Sequence, residues 1–174
     1  MSTYFVSDTH FGHRNIHLMG GRPINGPIDN EYWITECWQQ LVSAKISPTK
    51  QDIVYCLGDM AWNEDGLRVI AGLNGRKILI SGNHDHSSPL QYEVYAAIHG
   101  IIKYKGFWLS HAPIHEQELR GKPNAHGHVH NCTVPDPRYY NLCPENLFIK
   151  FGRPIISLDE LRAWHSEYYS PLHA

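Results

Sequence analysis

The chain has 174 residues, 42% apolar and 18% charged, and a formal charge of −2 from 15 Lys plus Arg against 17 Asp plus Glu. This balance excludes a disordered chain, fits one domain over residues 1–174, and indicates no bulk attraction to nucleic acid or anionic lipid. No apolar run approaches the roughly 20 residues of a spanning helix, and MSTYFVSDTH lacks the basic and apolar regions of a secretion signal, so a cytoplasmic location is expected.

Taken in chain order, Thr3 to Val6 is short, apolar and β-prone and reads as a first strand. Gly20 to Pro27 is a Gly/Pro/Asn loop, and Asp29 is the expected N-cap of a helix reaching about Ile46. On that helix Trp33, Ile34, Cys37, Trp38, Leu41 and Val42 form one apolar face, and Ser47-Pro48 stops it. Ile53 to Leu57 reads as a second strand, Glu64 to Leu73 as a short helix, Lys77 to Ile80 as a third strand and Pro89 to His99 as a helix. Ile101–Tyr104 and Phe107–Leu109, separated by Lys105-Gly106, read as a hairpin. Short strands are expected from Ala125, over Tyr139–Leu142 and over Leu147–Lys150, before a final helix opened by the capping box Ser157-Leu158-Asp159-Glu160. A βαβ-like first half and a mostly β second half argue for an α/β domain with a mixed or double sheet.

Thirteen histidines, about 7% of the chain, exceed ordinary usage and fall in short clusters rather than one run. Cys37, Cys56, Cys132 and Cys143 form no CxxC pair and read as free thiols, not a zinc knuckle. Five polar corners follow the expected strands: Asp8-Thr9-His10, Gly58-Asp59, Gly82-Asn83-His84-Asp85, Ser110-His111 and Gly127-His128-Val129-His130. Ligands of open α/β sheets bind outside the carboxyl ends of the strands, so these corners can converge on one edge. Asp8 with His10, and His128 with His130, are two residues apart and can reach one ion or fork toward two. Asp59 follows a glycine, where the chain can turn sharply, and its two oxygens can bridge two cations. Asn83 adds a neutral oxygen. Such N/O donors without thiolate suit Mn²⁺, Zn²⁺ or iron. Asp-x-His and Gly-Asp are common coincidences, whereas Gly-Asn-His-Asp and Gly-His-x-His are rare, and all five in order carry weight jointly.

In this order Asp8-x-His10, Gly58-Asp59, Gly82-Asn83-His84-Asp85, His111 and Gly127-His128-Val129-His130 resemble the motif series of the calcineurin-like metallophosphoesterase superfamily. Asp8-Thr9-His10-Phe11-Gly12-His13-Arg14-Asn15-Ile16, Val54-Tyr55-Cys56-Leu57-Gly58-Asp59, Leu73-Asn74-Gly75-Arg76-Lys77 and Pro154-Ile155-Ile156-Ser157-Leu158-Asp159-Glu160 resemble its small uncapped bacterial and phage branch. The resemblance spans nearly the whole chain. It implies a four-layer sandwich, two packed mixed β-sheets flanked by helices.

It also implies two divalent ions per chain, Mn²⁺ foremost, with Zn²⁺, Fe or Ni²⁺ also admitted. Asp8, His10, Asp59 and His130 would hold the first, and Asp59, Asn83, His111 and His128 the second, with Asp59 bridging. His84 would bind a phosphate oxygen or protonate the leaving oxygen, oriented by Asp85. The implied function is dinuclear hydrolysis of a phosphodiester or phosphomonoester, with a hydroxide shared by the ions as nucleophile. A His beside a carboxylate suits general-acid duty near neutral pH. A nuclease or nucleotide phosphodiesterase acting on nucleic-acid ends is the second reading, nucleic acid being a partner only as substrate. A catalytically inactive scaffold is the non-enzyme reading.

Around this group, His13, Arg14, Asn15, Trp62 and His86 are candidate substrate contacts: Arg14 as a bidentate phosphate donor, Trp62 as a stacking surface. A loop-stabilising His13, a solvated Arg14 and a packed Trp62 are the bland alternatives. His115 and His126, with His86, read as a polar rim, and His17, His99, His165 and His173 as uninvolved. No membrane partner is expected.

Overall fold

A computed structural model describes residues 1–44 and 50–169. In chain order the regular elements are β1 (Thr3–Val6), α1 (Pro27–Leu41), β2 (Ile53–Cys56), α2 (Glu64–Ala71), β3 (Arg76–Ile80), α3 (Pro89–Val94) and β4 (Ala97–His99). There follow β5 (Ile101–Tyr104), β6 (Phe107–Ser110), β7 (Asn124–His126), β8 (Tyr139–Asn141), α4 (Pro144–Phe151), β9 (Ile156–Ser157) and α5 (Leu158–Tyr169). The strands form two mixed sheets. One has the order β4-β3-β2-β1-β9, parallel except for antiparallel β9; the other has the order β5-β6-β7-β8, with β5 antiparallel to β6.

Alternation along the first sheet builds two cores. Phe5, Tyr55, Ile78 and Ile80 face the second sheet, where they meet Phe107, Leu109, Ala125 and Tyr140. Leu147 of α4 and Leu161 of α5 join that layer. Val6, Val54, Cys56 and Leu79 point the other way, onto Ile34 and Trp38 of α1 and Leu67 and Ile70 of α2. Period-two burial on both faces is what a covered, mainly parallel sheet requires. Trp38 is buried and its indole N–H donates to the Asn74 carbonyl at 2.9 Å, so its one polar atom is satisfied. The result is an α/β fold of two packed mixed sheets flanked by helices.

Several element expectations change. The first helix starts at Pro27 with Gly26 as N-cap, because proline at the first position presets φ. Asp29 lies inside the first turn, and its Oδ2 accepts from the Asn25 amide at 3.0 Å. The helix ends at Leu41 with extended Val42; the expected end near Ile46 and the stop at Ser47-Pro48 lie outside the described residues, as does His173. The helix expected over Pro89–His99 stops at Val94, and Ala97–His99 pairs with β3 instead. A short apolar run fits either state, and an open sheet edge decides here. Leu147–Lys150 is helical, within α4, between Pro144 at the first helical position and Gly152 in the left-handed C-cap conformation at φ 72°.

Register positions the corners. Val6 pairs with Cys56, and Cys56 with Leu79, so β1, β2 and β3 end level. The chain stays paired beyond the strands: the Asp8 amide donates to the Gly58 carbonyl at 2.9 Å and the His10 amide to the Asp59 carbonyl at 3.0 Å. In the second sheet Leu109 pairs with Ala125, and the Gly127 amide donates to the His111 carbonyl at 2.7 Å. The His111 ring crosses between sheets, its Nδ1–H donating to the Leu57 carbonyl at 2.8 Å.

Candidate metal centre and active site

The carboxyl ends of β1, β2, β3, β6 and β7 bring all seven expected ligand residues to one edge. Asp8, His10 and His130 have donor atoms within 4.8 Å of one another, and so do Asp59, His111 and His128. Asn83 Oδ1 lies 3.0 Å from His111 Nε2, which is also 3.1 Å from His128 Nδ1. Asp59 Oδ2 lies 3.4 Å from His111 Nε2 and 4.0 Å from His10 Nε2, so one oxygen faces both groups. The other, Oδ1, accepts from the His84 amide at 2.8 Å. The two oxygens of Asp59 are thus unequal: Oδ1 serves the backbone, and Oδ2 is turned toward both groups.

Asp8 is divided in the same way. Its Oδ2 accepts from the Ser7 hydroxyl, from the His128 amide at 2.9 Å and from the Cys143 thiol at 3.3 Å. Its Oδ1 is buried with no hydrogen-bond partner and lies 3.9 Å from both His10 Nε2 and His130 Nε2. Both nitrogens of the His10 ring are likewise buried without a partner. Buried polar atoms without partners are costly. A carboxylate oxygen and imidazole nitrogens turned toward one another are the donor set of a divalent cation, so the residues fit one.

The electrostatics agree. Burial, helped by the Arg22 charge, holds His10 down at about 3, so its ring is neutral with a lone pair to offer. Burial pushes Asp8 up. Burial would also raise Asp59, but His111 and the His84 amide outweigh it and hold the carboxyl at about 2. His111 is the counterpart: burial pulls it down, yet Asp59 and the charge of Asp8 push it up to about 9. Its proton therefore sits at Nε2, among Asn83 Oδ1, Asp59 Oδ2 and His128 Nδ1.

His84 is half-buried, its ring centroid 5.9 Å from that of His10 and 4.7 Å from that of Trp62. Asp85 does not act as expected on the His84 ring. Its Oδ2 accepts from the Asp59 and Gly82 amides, each at 2.8 Å, and its Oδ1 from the Met60 amide at 3.1 Å. Both oxygens serve backbone, so Asp85 ties the β2 and β3 corners together. Trp62 is 42% exposed, with the His13 ring 4.3 Å away in an edge-on arrangement, and thus spans His13 and His84. Arg14 and Asn15 are exposed and line a hollow of about 310 Å³ with His13, Trp62 and Asn63, to one side of the donor groups. His86 lines a separate cavity of about 140 Å³ with Trp62, Asp85 and Gln91. His126, expected at the rim, is fully buried, its Nδ1–H donating to the Gly127 carbonyl at 2.9 Å. The four cysteines are free thiols, with Cys56 and Cys143 buried and Cys132 exposed.

Sequence reasoning missed Arg22, Asn30 and Glu145. Glu145 is fully buried; its Oε1 accepts from Arg22 Nε at 2.7 Å and from His130 Nδ1 at 3.2 Å. Burial would raise Glu145, but His130 and Arg22 hold it at about 2. No motif announces these residues, since they lie in a loop and in the first turn of a helix. His130, Cys143 and Glu145 also lie close enough to hold an ion. The Arg22 cation on Glu145 and the thiol proton donated to Asp8 disfavour one there.

A family model described as calcineurin-like phosphoesterase matches residues 1–169. An uncharacterized protein of Methanocaldococcus jannaschii is 31% identical over 134 residues, 73% of this chain and 68% of its own length. The Gene 66 protein of Mycobacterium phage D29 is 33% identical over 94 residues, 51% of this chain and 43% of the phage protein. The crystal structure of a protein of unknown function from Aquifex aeolicus is similar with a TM-score of 0.70 at 27% identity, covering 93% of this chain and 98% of that one. No described helix is long and apolar enough to cross a membrane.

Proposed function

Because the chain belongs to the calcineurin-like phosphoesterase family, we propose that it hydrolyses phosphoesters with two divalent metal ions. The observation that carries this reading is the pair of donor groups meeting at Asp59 Oδ2. Asp8, His10, Asp59 and His130 would hold one ion, and Asp59, Asn83, His111 and His128 the other. Mn²⁺ suits these N/O donors, with Zn²⁺, Fe and Ni²⁺ as alternatives. When bound, such ions acidify water and neutralise charge developing on the phosphoryl oxygens.

The chain's own groups do the remaining work. His84, half-buried beside the donor groups, donates to a phosphate oxygen or to the departing alcohol oxygen. Asp85 holds the loop that presents Asn83 and His84. His111 keeps its ring turned by the Leu57 carbonyl, which leaves Nε2 for the centre. The exposed face of Trp62, next to His84, favours esters whose leaving group carries an aryl or nucleobase ring. That feature supports a nucleotide phosphodiesterase or an enzyme acting on nucleic-acid ends as the second reading, with His13, Arg14 and Asn15 as contacts for a further phosphate.

The test is metal analysis together with turnover of bis(p-nitrophenyl) phosphate and p-nitrophenyl phosphate in Mn²⁺. Asp59→Ala and Asn83→Ala are expected to lose activity together with the second ion. His84→Ala is expected to lower kcat by about 10²–10⁴-fold with both ions retained. Hydrolysis of the diester alone supports a phosphodiesterase. No bound metal and no turnover would leave a binding scaffold. An empty metal site in His84→Ala would overturn the role given to His84.

A further inference from the structure

We propose that Glu145 and Arg22 form a buried brace that positions His130 and Asp8 for the first ion, an inference that rests on the two-metal reading above. Arg22 is only 9% exposed, and its guanidinium donates in four directions. Nε reaches Glu145 Oε1 at 2.7 Å, Nη2 the Asp8 carbonyl at 2.7 Å, and Nη1 both Asn30 Oδ1 at 2.7 Å and the Thr9 carbonyl at 3.4 Å. Asn30 Nδ2 donates to the same Thr9 carbonyl at 2.9 Å. The corner after β1, where Asp8 and His10 both have positive φ, is thus held from behind by Arg22 together with Asn30. Glu145 continues the brace on the other side. By accepting from His130 Nδ1 at 3.2 Å it keeps the proton on that nitrogen and turns Nε2 toward Asp8 Oδ1.

Packing alone gives no reason for this pair. Glu145 Oε2 is buried without a partner, and a buried ion pair is often replaceable by apolar residues without loss of stability. Orientation accounts for what packing does not. The fork geometry of arginine satisfies two backbone carbonyls and two side chains at once, which lysine cannot do.

The experiment compares the parent chain with Glu145→Gln, Glu145→Ala and the apolar double variant Arg22→Met/Glu145→Met. Mn²⁺ is the only ligand. Binding isotherms, electron paramagnetic resonance of the Mn²⁺-loaded chain and the melting of metal-free protein are read together. The parent should bind two ions as a magnetically coupled pair. In the variants one ion should bind about 10–100-fold more weakly and the other as before. The coupled signal should give way to that of an isolated ion, while the metal-free apolar double variant, which leaves no buried charge unpaired, still melts cooperatively. Two ions bound with parent affinity in every folded variant would overturn the brace. So would failure of all three variants to fold, since the pair would then be purely structural. A parent chain that binds no Mn²⁺ would overturn the two-metal reading and the brace together.

Discussion

Asp8, His10, Asp59, His128 and His130 all hold φ in the left-handed region, between 47° and 72°. Each such residue costs on the order of 1–3 kcal/mol unless its surroundings enforce it. The enforcement is visible: the corners pair with one another by backbone hydrogen bonds, and glycines allow the close approach. A methyl group on Gly127 would overlap Ser7 Oγ and Asp8 Oδ2, so Gly127→Ala must displace the very carboxylate the first group needs. We expect a loss of about 1–3 kcal/mol, a fall in melting temperature of about 2–12 °C, and weaker metal retention, measured by thermal unfolding and metal analysis. Gly58 plays the same part for His111, at φ 88°. The His111 proton yields a second prediction. A cation held by Asn83, Asp59, His111 and His128 has to expel it. Apparent metal affinity should therefore rise with pH until about 9 and then level off, with proton release measurable in weakly buffered titrations. In metal-free protein the same proton stabilises the fold: its contribution is complete below about 6.5 and is lost as pH rises through about 9. A flat affinity profile between these values would contradict both.

At the scale of elements, local chemistry predicts helices best where caps are explicit. Ser157 and Glu160 form the expected reciprocal cap: the Ser157 amide donates to Glu160 Oε2 at 2.8 Å, and Ser157 Oγ accepts from the Glu160 amide at 3.3 Å. Ser157→Ala should cost about 1 kcal/mol and lower the melting temperature by about 2–4 °C, read by calorimetry, with no change in metal content. Around α4 the same kind of signal decides for helix. Pro144 and Gly152 bracket a helix, but the apolar run inside them matched a strand equally well. At β4 the chain itself is ambiguous, and hydrogen bonding to β3 makes the choice. Helix α1 follows from its apolar face, whereas its start is set by competing caps three residues apart, Gly26 before Pro27 against Asp29.

For the whole molecule, the two sheets meet so that corners from five strands share one edge, and ions bound there would bind the folded chain only. Chelation should accordingly lower the melting temperature. At free metal 100-fold above the dissociation constant each ion contributes about 2.7 kcal/mol, or about 5–11 °C here. Equal melting curves with Mn²⁺ and with excess chelator would count against tight sites. How much of this was legible beforehand depends on range along the chain. Asp8-x-His10, Gly58-Asp59, Gly82-Asn83-His84-Asp85 and Gly127-His128-Val129-His130 are contiguous. Strand, turn glycine and polar residue sit within a few residues, so the sequence by itself determined these strands, their corners and the polar residues they carry. Tertiary structure decided the rest: which Asp59 oxygen faces both groups, that Asp85 serves backbone amides instead of His84, and that Glu145 and Arg22, 123 residues apart, brace the first group. A buried ion pair or a divided carboxylate depends on which distant atoms remove water from it, and that is settled only when the two sheets close on each other.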